Sequence, residues 1–229
     1  MTLGRALCAH PHLPTVSGMT RENALRLLRA ERAALVGALT DLPAERWEEP
    51  SLCTGWSVHD VLAHLTAAAR TATLPWLVNM LASRFDTDRH NQRLLERHRE
   101  ADPALTLESL RAAAASSRAP FGEVTGMLGE VVVHSQDIAR PLGLPLVPAQ
   151  EAVEAVAVFF AGKDFAVNSA TLVRGLRLEA TDGELHTGDG PLVRGPLLAL
   201  VIAMAGRPHA LDDLEGEGVE ELRARVARG

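Results

Sequence analysis

Glu130 and His134 are the residues of this 229-residue sequence whose types and spacing most readily do chemistry. They lie in the run Gly129-Glu-Val-Val-Val-His-Ser-Gln-Asp-Ile-Ala-Arg-Pro. On a helix, side chains at i and i+4 stand one above the other on one face, close enough to share a single ion. At about 100° per residue, Glu123, Glu130, His134 and Asp137 fall in one narrow arc, while Leu128, Val131, Val132, Val133 and Ile138 spread around the rest. A helix so apolar elsewhere is expected to be buried, and a buried stripe of acid and imidazole needs a metal, a partner or a proton. The plainer reading stands beside it, since charged i,i+4 pairs are common on solvated helices.

A third ligand comes from a second helix. Ser57 followed by Asp60 matches the start signal in which a hydroxyl and an acid satisfy free amides, so this helix is predicted to begin at Val58. It is expected to run through Ala63, Leu65 and Ala68 towards Leu81, with a kink or break near Pro75. Its wheel places His59 with Thr66 and Arg70, and His64 beside Val61, Ala67 and Ala68. His64 is therefore the inward histidine, and the neighbouring alanines leave room for an ion or substrate. His64, Glu130 and His134 make two imidazoles and one carboxylate, a set suited to zinc or another divalent first-row metal, with one coordination position open for chemistry. Asp137 either orients a ligand imidazole from behind or pairs with Arg140. Asp60 is expected to cap its helix, with contact to the site as the other reading. His59, His90 and His98 read as solvated-face residues, and His186 and His209 as surface residues. Trp56 packs at the bundle end or walls the pocket.

The elements that must position these groups follow from periodicity. Residues 1–18 read as a disordered extension. Leu25, Leu27, Leu28, Leu35 and Leu39 mark a first helix from Arg21 to Leu42, and Pro43, Pro50 and Gly55 make residues 41–56 a loop. Residues 84–102 are charge-rich and read as an exposed helix or solvated connection. Helices are predicted over Thr106–Ser117 and Pro120–Ala139, the latter stopped by Pro141 and Gly143. Four helices with short connections give a bundle over residues 19–145, a fold that builds metal sites from facing helices. A connecting helix occupies residues 146–164. From 165 to 229 the pattern changes to a small α/β domain: a strand over Leu176–Ala180, a turn at Asp182-Gly183, a hairpin partner at Glu184–Thr187, a helix over Pro196–Ala205, an extended piece over Pro208–Leu214 and a last helix over Val219–Arg228. The fold class is mainly α.

Composition narrows the function. With 23 Lys and Arg against 29 Asp and Glu, a net charge of −6 and no long basic run, neither nucleic acid nor an anionic membrane is an expected partner. Aromatic content of 3% and the absence of Tyr remove the stacking platforms that single strands use. No apolar run approaches the ~18 residues of a membrane span, and the first 18 residues lack a signal-peptide core. Cys8 and Cys53 form neither a metal knuckle nor a disulfide framework, and neither is an obvious nucleophile. A cytoplasmic location follows as the expectation. No phosphate loop, nucleophile elbow or dinucleotide fingerprint is present. The expected ligands are small molecules.

Leu42-Pro-Ala-Glu-Arg-Trp, then Cys53-Thr-Gly-Trp-Ser-Val-His-Asp-Val-Leu-Ala-His-Leu, then Glu130-Val-Val-Val-His-Ser-Gln-Asp-Ile-Ala-Arg-Pro-Leu-Gly resemble the mycothiol-dependent maleylpyruvate isomerase family, within the DinB-like four-helix metalloenzymes. The resemblance covers about residues 20–145, and more loosely the tail from Arg174 through Ala205-Gly-Arg-Pro. It implies a DinB-like bundle followed by a small C-terminal domain, and zinc on His64, Glu130 and His134. It also implies mycothiol as thiol co-substrate, activated as thiolate for addition to a small electrophile in isomerisation or S-transfer. It further implies an arginine of the C-terminal domain near the site, for which Arg207 is the match and Arg174 and Arg194 compete. The alternative is a non-catalytic DinB-like module that binds a metal or small ligand. Oligomeric state is not legible in these motifs.

Overall fold

The computed structural model describes residues 19–228, so the expected extension over residues 1–18 lies outside the described residues. The first helix, α1 (Arg21–Leu39), is capped by the Thr20 hydroxyl, which accepts from the Asn23 amide at 3.2 Å. The second, α2 (Val58–Arg70), opens on a complete capping box of Ser57 and Asp60, which satisfies two amides that the helix cannot. It stops earlier than expected. Thr71 and Ala72 leave helical geometry, and a separate helix α3 (Thr73–Ala82) follows. Pro75 sits in the first turn of α3, where a missing N–H is tolerated, so the break precedes the proline rather than falling on it. The charge-rich stretch forms α4 (Thr87–His98), packed on α2 and paired with α3 as a helical hairpin.

The remaining bundle helices are α5 (Pro103–Ala113) and α6 (Val124–Leu142). Helices α1, α2, α5 and α6 pack on one another as the four-helix bundle. A single 3-10 turn over Pro120–Gly122 precedes α6, which runs past Pro141 and ends at Gly143 in the left-handed conformation (φ 63°). Proline at position 141 cannot donate to the carbonyl of Asp137, and that carbonyl instead accepts from the Leu52 amide at 3.0 Å. The helix thus continues while one of its bonds is lent to the loop before α2.

Helix α7 (Gln150–Gly162) packs against α1 and α6 on one side and the C-terminal region on the other. Its first turn is tied down by buried Glu31, which accepts from the Ala149 amide at 2.9 Å. Beyond it come the short helix α8 (Ser169–Leu172), strands β1 (Arg177–Ala180), β2 (His186–Thr187) and β3 (Leu192–Gly195), then α9 (Leu197–Met204) and α10 (Val219–Val226). The sheet order is β2-β1-β3. As expected, β1 and β2 are antiparallel, with Leu178 opposite Thr187. Strand β3, which has no counterpart in the sequence reading, runs parallel to β1 with Leu178 opposite Val193. Its four residues end on a glycine, too short a run for alternation to register. Residues Pro208–Asp213 form 3-10 turns rather than an extended piece. The apolar core is continuous from Leu28 and Leu62 in the bundle through Val156 to Leu200 and Val193, and no described helix is long and apolar enough to cross a membrane.

Two glycines test this packing. Gly37 lies in α1 with nothing within 4 Å of an added Cβ, whereas at Gly129 a Cβ would meet the buried Phe160 ring at 2.8 Å. Both alanine substitutions gain about 1 kcal/mol of helix propensity. Gly129→Ala also incurs overpacking of about 1–3 kcal/mol. Chemical denaturation should therefore find Gly37→Ala more stable than the parent and Gly129→Ala clearly less stable than Gly37→Ala.

Candidate metal centre

Facing turns of α2 and α6 bring His64, Glu130 and His134 together. His64 Nε2 lies 3.0 Å and His134 Nε2 3.6 Å from the same oxygen, Glu130 Oε2. The two imidazole rings meet edge to face at 4.8 Å, and one ligand atom from each of the three residues falls within 4.8 Å of the others. A tetrahedral ion with bonds of ~2.0–2.1 Å needs ligand atoms roughly 3.3 Å apart, so the donor set and its spacing fit such an ion. Both histidines are buried at 8% exposure, and the Glu130 side chain retains 17%. Trp56, half-buried, lies with its ring 5.2 Å from that of His64 and walls the site.

Behind His134 stands a fully buried carboxylate. Asp137 Oδ2 accepts from His134 Nδ1 at 2.9 Å, from Arg207 Nη2 at 2.8 Å and from the Cys53 thiol at 3.1 Å, while Oδ1 accepts from Arg207 Nε at 3.1 Å. Donation from Nδ1 to Asp137 orients the His134 ring so that Nε2 faces Glu130 and His64, and it is this nitrogen that would bind an ion after giving up its proton. Arg140, the other partner considered for Asp137, pairs instead with Asp213 at 2.8 Å.

The charges support one another. Burial, with His134 nearby, keeps the His64 pKa below the ordinary imidazole value despite the hydrogen bond to Glu130, so this ring favours its neutral, ligand-ready form. Burial alone would raise Glu130 and Asp137. For Glu130 the hydrogen bonds from His134 and His64 outweigh it, and for Asp137 those from His134 and Arg207, holding both carboxyls below the usual range. His134 is burdened by burial yet held well above its ordinary value by Asp137, Cys53 and Glu130.

Two residues reach the centre through local backbone chemistry. Helix α9 ends in a Schellman motif: Gly206 takes φ 80°, its amide donates to Ala203, and the Arg207 amide donates to Ile202. That reversal, followed by Pro208, delivers Arg207 to Asp137. Arg174 is exposed beside Thr171, and Arg194 pairs with Glu179 and Glu215, so neither competitor reaches the site. Cys53, passed over in the sequence, is held against His134 Nδ1 (3.4 Å) and 3.5 Å from Arg207 Nη2. The signal for it was Pro141, which frees the Asp137 carbonyl for the amide next to Cys53.

Asp60 caps its helix, the first of its two readings, and has no hydrogen bond to His64, Glu130 or His134. Its carboxylate closes the α2 capping box, with the Ser57 amide at 2.9 Å, and takes Arg99 Nε at 2.7 Å. Two histidine expectations need correction. His59 is fully buried, with Nε2 2.9 Å from the Thr106 hydroxyl, because α5 covers the face that the wheel gave to solvent. His90 is 1% exposed, its ring 4.9 Å from Trp76 and its Nδ1 3.0 Å from the Asn79 amide nitrogen, since the α3–α4 hairpin buries it. His98 and His209 are half-buried, and His186 is exposed.

Residues 28–124 match the model of the mycothiol maleylpyruvate isomerase N-terminal domain. No curated protein matches the chain in sequence. Among solved structures, a mycothiol-dependent maleylpyruvate isomerase superposes with a TM-score of 0.61 at 16% identity, covering 87% of this chain and 93% of that one. A histidine-to-alanine mutant of the enzyme superposes with the same TM-score at 15% identity and the same coverage. The fold is shared across the C-terminal region as well as the bundle, and residues 28–124, less than half of the chain, are similar to mycothiol maleylpyruvate isomerase N-terminal domains.

Proposed function

We propose that this chain is a cytoplasmic enzyme of the maleylpyruvate isomerase type that uses a divalent cation and mycothiol to act on a small electrophile, by cis–trans isomerisation or S-transfer. The observation that carries the reading is the convergence of His64 Nε2, Glu130 Oε2 and His134 Nε2, with Asp137 fixing His134 from behind. His64, Glu130 and His134 would hold the cation, zinc being the first choice for this donor set. When bound, such a cation supplies positive charge that favours thiolate over thiol and polarises a substrate oxygen. Three protein donors leave room for a further ligand, which separates this arrangement from a closed structural site.

The chain's own residues set orientation and charge. Asp137 holds the His134 ring, and Arg207 holds Asp137 through both Nε and Nη2. Arg207 therefore acts as a positioning residue that couples the C-terminal region to the centre. Trp56 limits water on the α2 side. In the isomerase reaction the co-substrate sulfur bonds to one alkene carbon of maleylpyruvate while the π pair moves towards the conjugated carbonyl. Rotation about the resulting single bond and return of that pair expel the thiolate and leave the trans alkene, with no net change in protons.

Elemental analysis should find about one zinc per chain, lost in His134→Ala. Restoring zinc to chelated protein at a thousandfold excess over Kd should add ~4 kcal/mol of stability, a rise in Tm of about 10 °C for a chain of this size. A purified chain with no metal and no affinity for one sinks the proposal. Maleylpyruvate should be converted to fumarylpyruvate only when mycothiol is added. Saturable binding of that thiol without turnover across a panel of electrophiles would assign the chain to a non-catalytic binding module instead.

The Asp137–Arg207 clamp has its own test. Arg207→Ala leaves a buried carboxylate short of countercharge and should cost about 3–5 kcal/mol. Adding Asp137→Asn should recover part of that loss, so the double variant is less destabilised than the two single variants combined. Because the Asp137 pKa is depressed on folding, its contribution is complete above the unfolded value near pH 4 and disappears as pH falls through the folded value. Metal-free Asp137→Asn should accordingly show a flatter acid limb in stability against pH.

A further inference from the structure

Helix α3 is built inside out. Its polar residue Asn79 is 1% exposed, donating through Nδ2 to the His90 carbonyl at 3.0 Å and accepting from Arg93 Nε at 3.2 Å. Its apolar stripe faces water: Leu74 at 71%, Leu77 at 39%, Val78 at 58% and Leu81 at 61% exposure. These positions follow the i, i+3, i+4, i+7 spacing of a buried helix face, and α3 contains no charged residue. Phe85 (72%) and Phe121 (56%) are exposed beside it, Phe121 through its edge-on contact with Trp76 at 5.4 Å. Both phenylalanines have positive φ, 63° and 56°, a conformation that bulky side chains rarely adopt and that here holds large rings outward.

The six side chains together present on the order of 600 Å² of mainly apolar surface, at the upper end of the ~300–600 Å² of the largest patch on a typical monomer. Each partner in a standard protein interface buries ~800 Å², so the stripe with its polar edge reaches what a stable dimer needs. Two other exposed apolar side chains, Leu105 and Val147, belong to α5 and to the α6–α7 connection and lie outside the stripe.

The charges around the patch decide between occupants. At the C-terminal end of the stripe Arg84, Asp86, Asp88 and Arg89, all exposed, give two of each sign. In a two-fold interface a patch meets itself, so its edge must carry both signs to be self-complementary. A helix lying in an anionic membrane surface needs a lysine- or arginine-rich polar face instead, which α3 lacks. We infer that the exposed apolar face of α3, with Phe85 and Phe121, is the contact by which two copies of this chain form a two-fold dimer, with the α3 stripes packed across the axis.

The test uses the full chain in sedimentation velocity over a concentration series. Twice the 24.5 kDa chain mass is expected at micromolar concentration. The variant Leu74→Glu/Val78→Glu places like charges on both sides of the axis and should shift the monomer–dimer midpoint upward by about 100-fold or more, with an unchanged far-ultraviolet circular dichroism spectrum. Leu105→Glu, exposed but off the stripe, should leave the dimer intact and shows whether an added surface charge alone has an effect. A wild-type chain that stays monomeric at high concentration overturns the inference, as does a dimer indifferent to the double variant. A monomer that cosediments with phosphatidylserine-containing vesicles through the same residues would also overturn it and assign the face to lipid. None of these readouts depends on the metal centre.

Discussion

A carboxylate with no solvent exposure cannot remain ionised without donors, and Asp137 draws its donors from three separate parts of the chain. His134 comes from its own helix, Cys53 from the loop before α2, and Arg207 from the reversal after α9. The desolvation of that one charge, several kcal/mol in effective terms, is offset only if all three segments are in place. Its backbone carbonyl binds Leu52 because Pro141 has withdrawn the usual helical donor. Side chain and main chain of one residue thus pin the bundle, the entry loop and the C-terminal region to each other. The orientation of the His134 ring is set by this junction.

The order of charges follows from the same constraint. From His64 through Glu130, His134, Asp137 and Arg207, each member can give a hydrogen to or accept one from the next, and acids alternate with bases. Glu130 is shared between two imidazoles, whereas Asp137 is shared between an imidazole and a guanidinium that stays charged at any working pH. The two carboxylates therefore differ in their partners and in their burial. Glu130 has exposure left on one side, so under the proposed function its imidazoles can turn to an ion, while Asp137 is enclosed and holds what lies behind.

Much of this was readable from spacing. The i,i+4 pair Glu130–His134, the addition of Asp137 on the same stripe and the inward turn of His64 all follow from helical periodicity in segments whose caps are also visible, and the bundle followed from the same pattern. What escaped were features that depend on a second element. His59 reads as solvated because a wheel describes one helix and not what packs over it, and His90 because its stretch is rich in charge; α5 and the α3–α4 hairpin supply those covers. Cys53 is brought to the site by the backbone bond from Leu52 to Asp137, whose one mark in the sequence, Pro141, lies on another helix far along the chain. The place of Arg207 was suggested by resemblance alone, and its mechanism, the Gly206 reversal, is recognisable in Ala205-Gly-Arg-Pro only once α9 is known to end there.

Helix α3 is the instructive case, because there the hydrophobic pattern is strong and its usual interpretation fails. Leu74, Leu77, Val78 and Leu81 have the spacing of a core stripe, yet α3 turns Asn79 and Trp76 inward against the buried His90 of α4. The polar side could turn inward because α4 offers it matched partners: the His90 carbonyl and ring for the Asn79 amide, and Arg93 for its oxygen. Turning the helix over would bury the leucines at the cost of exposing that satisfied network to competition with water and leaving His90 without its donor. Local energetics fix the orientation, and the apolar face is left for whatever lies outside the chain. A periodicity that is right about burial and wrong about which molecule provides it is what a surface selected for self-association would leave in a sequence.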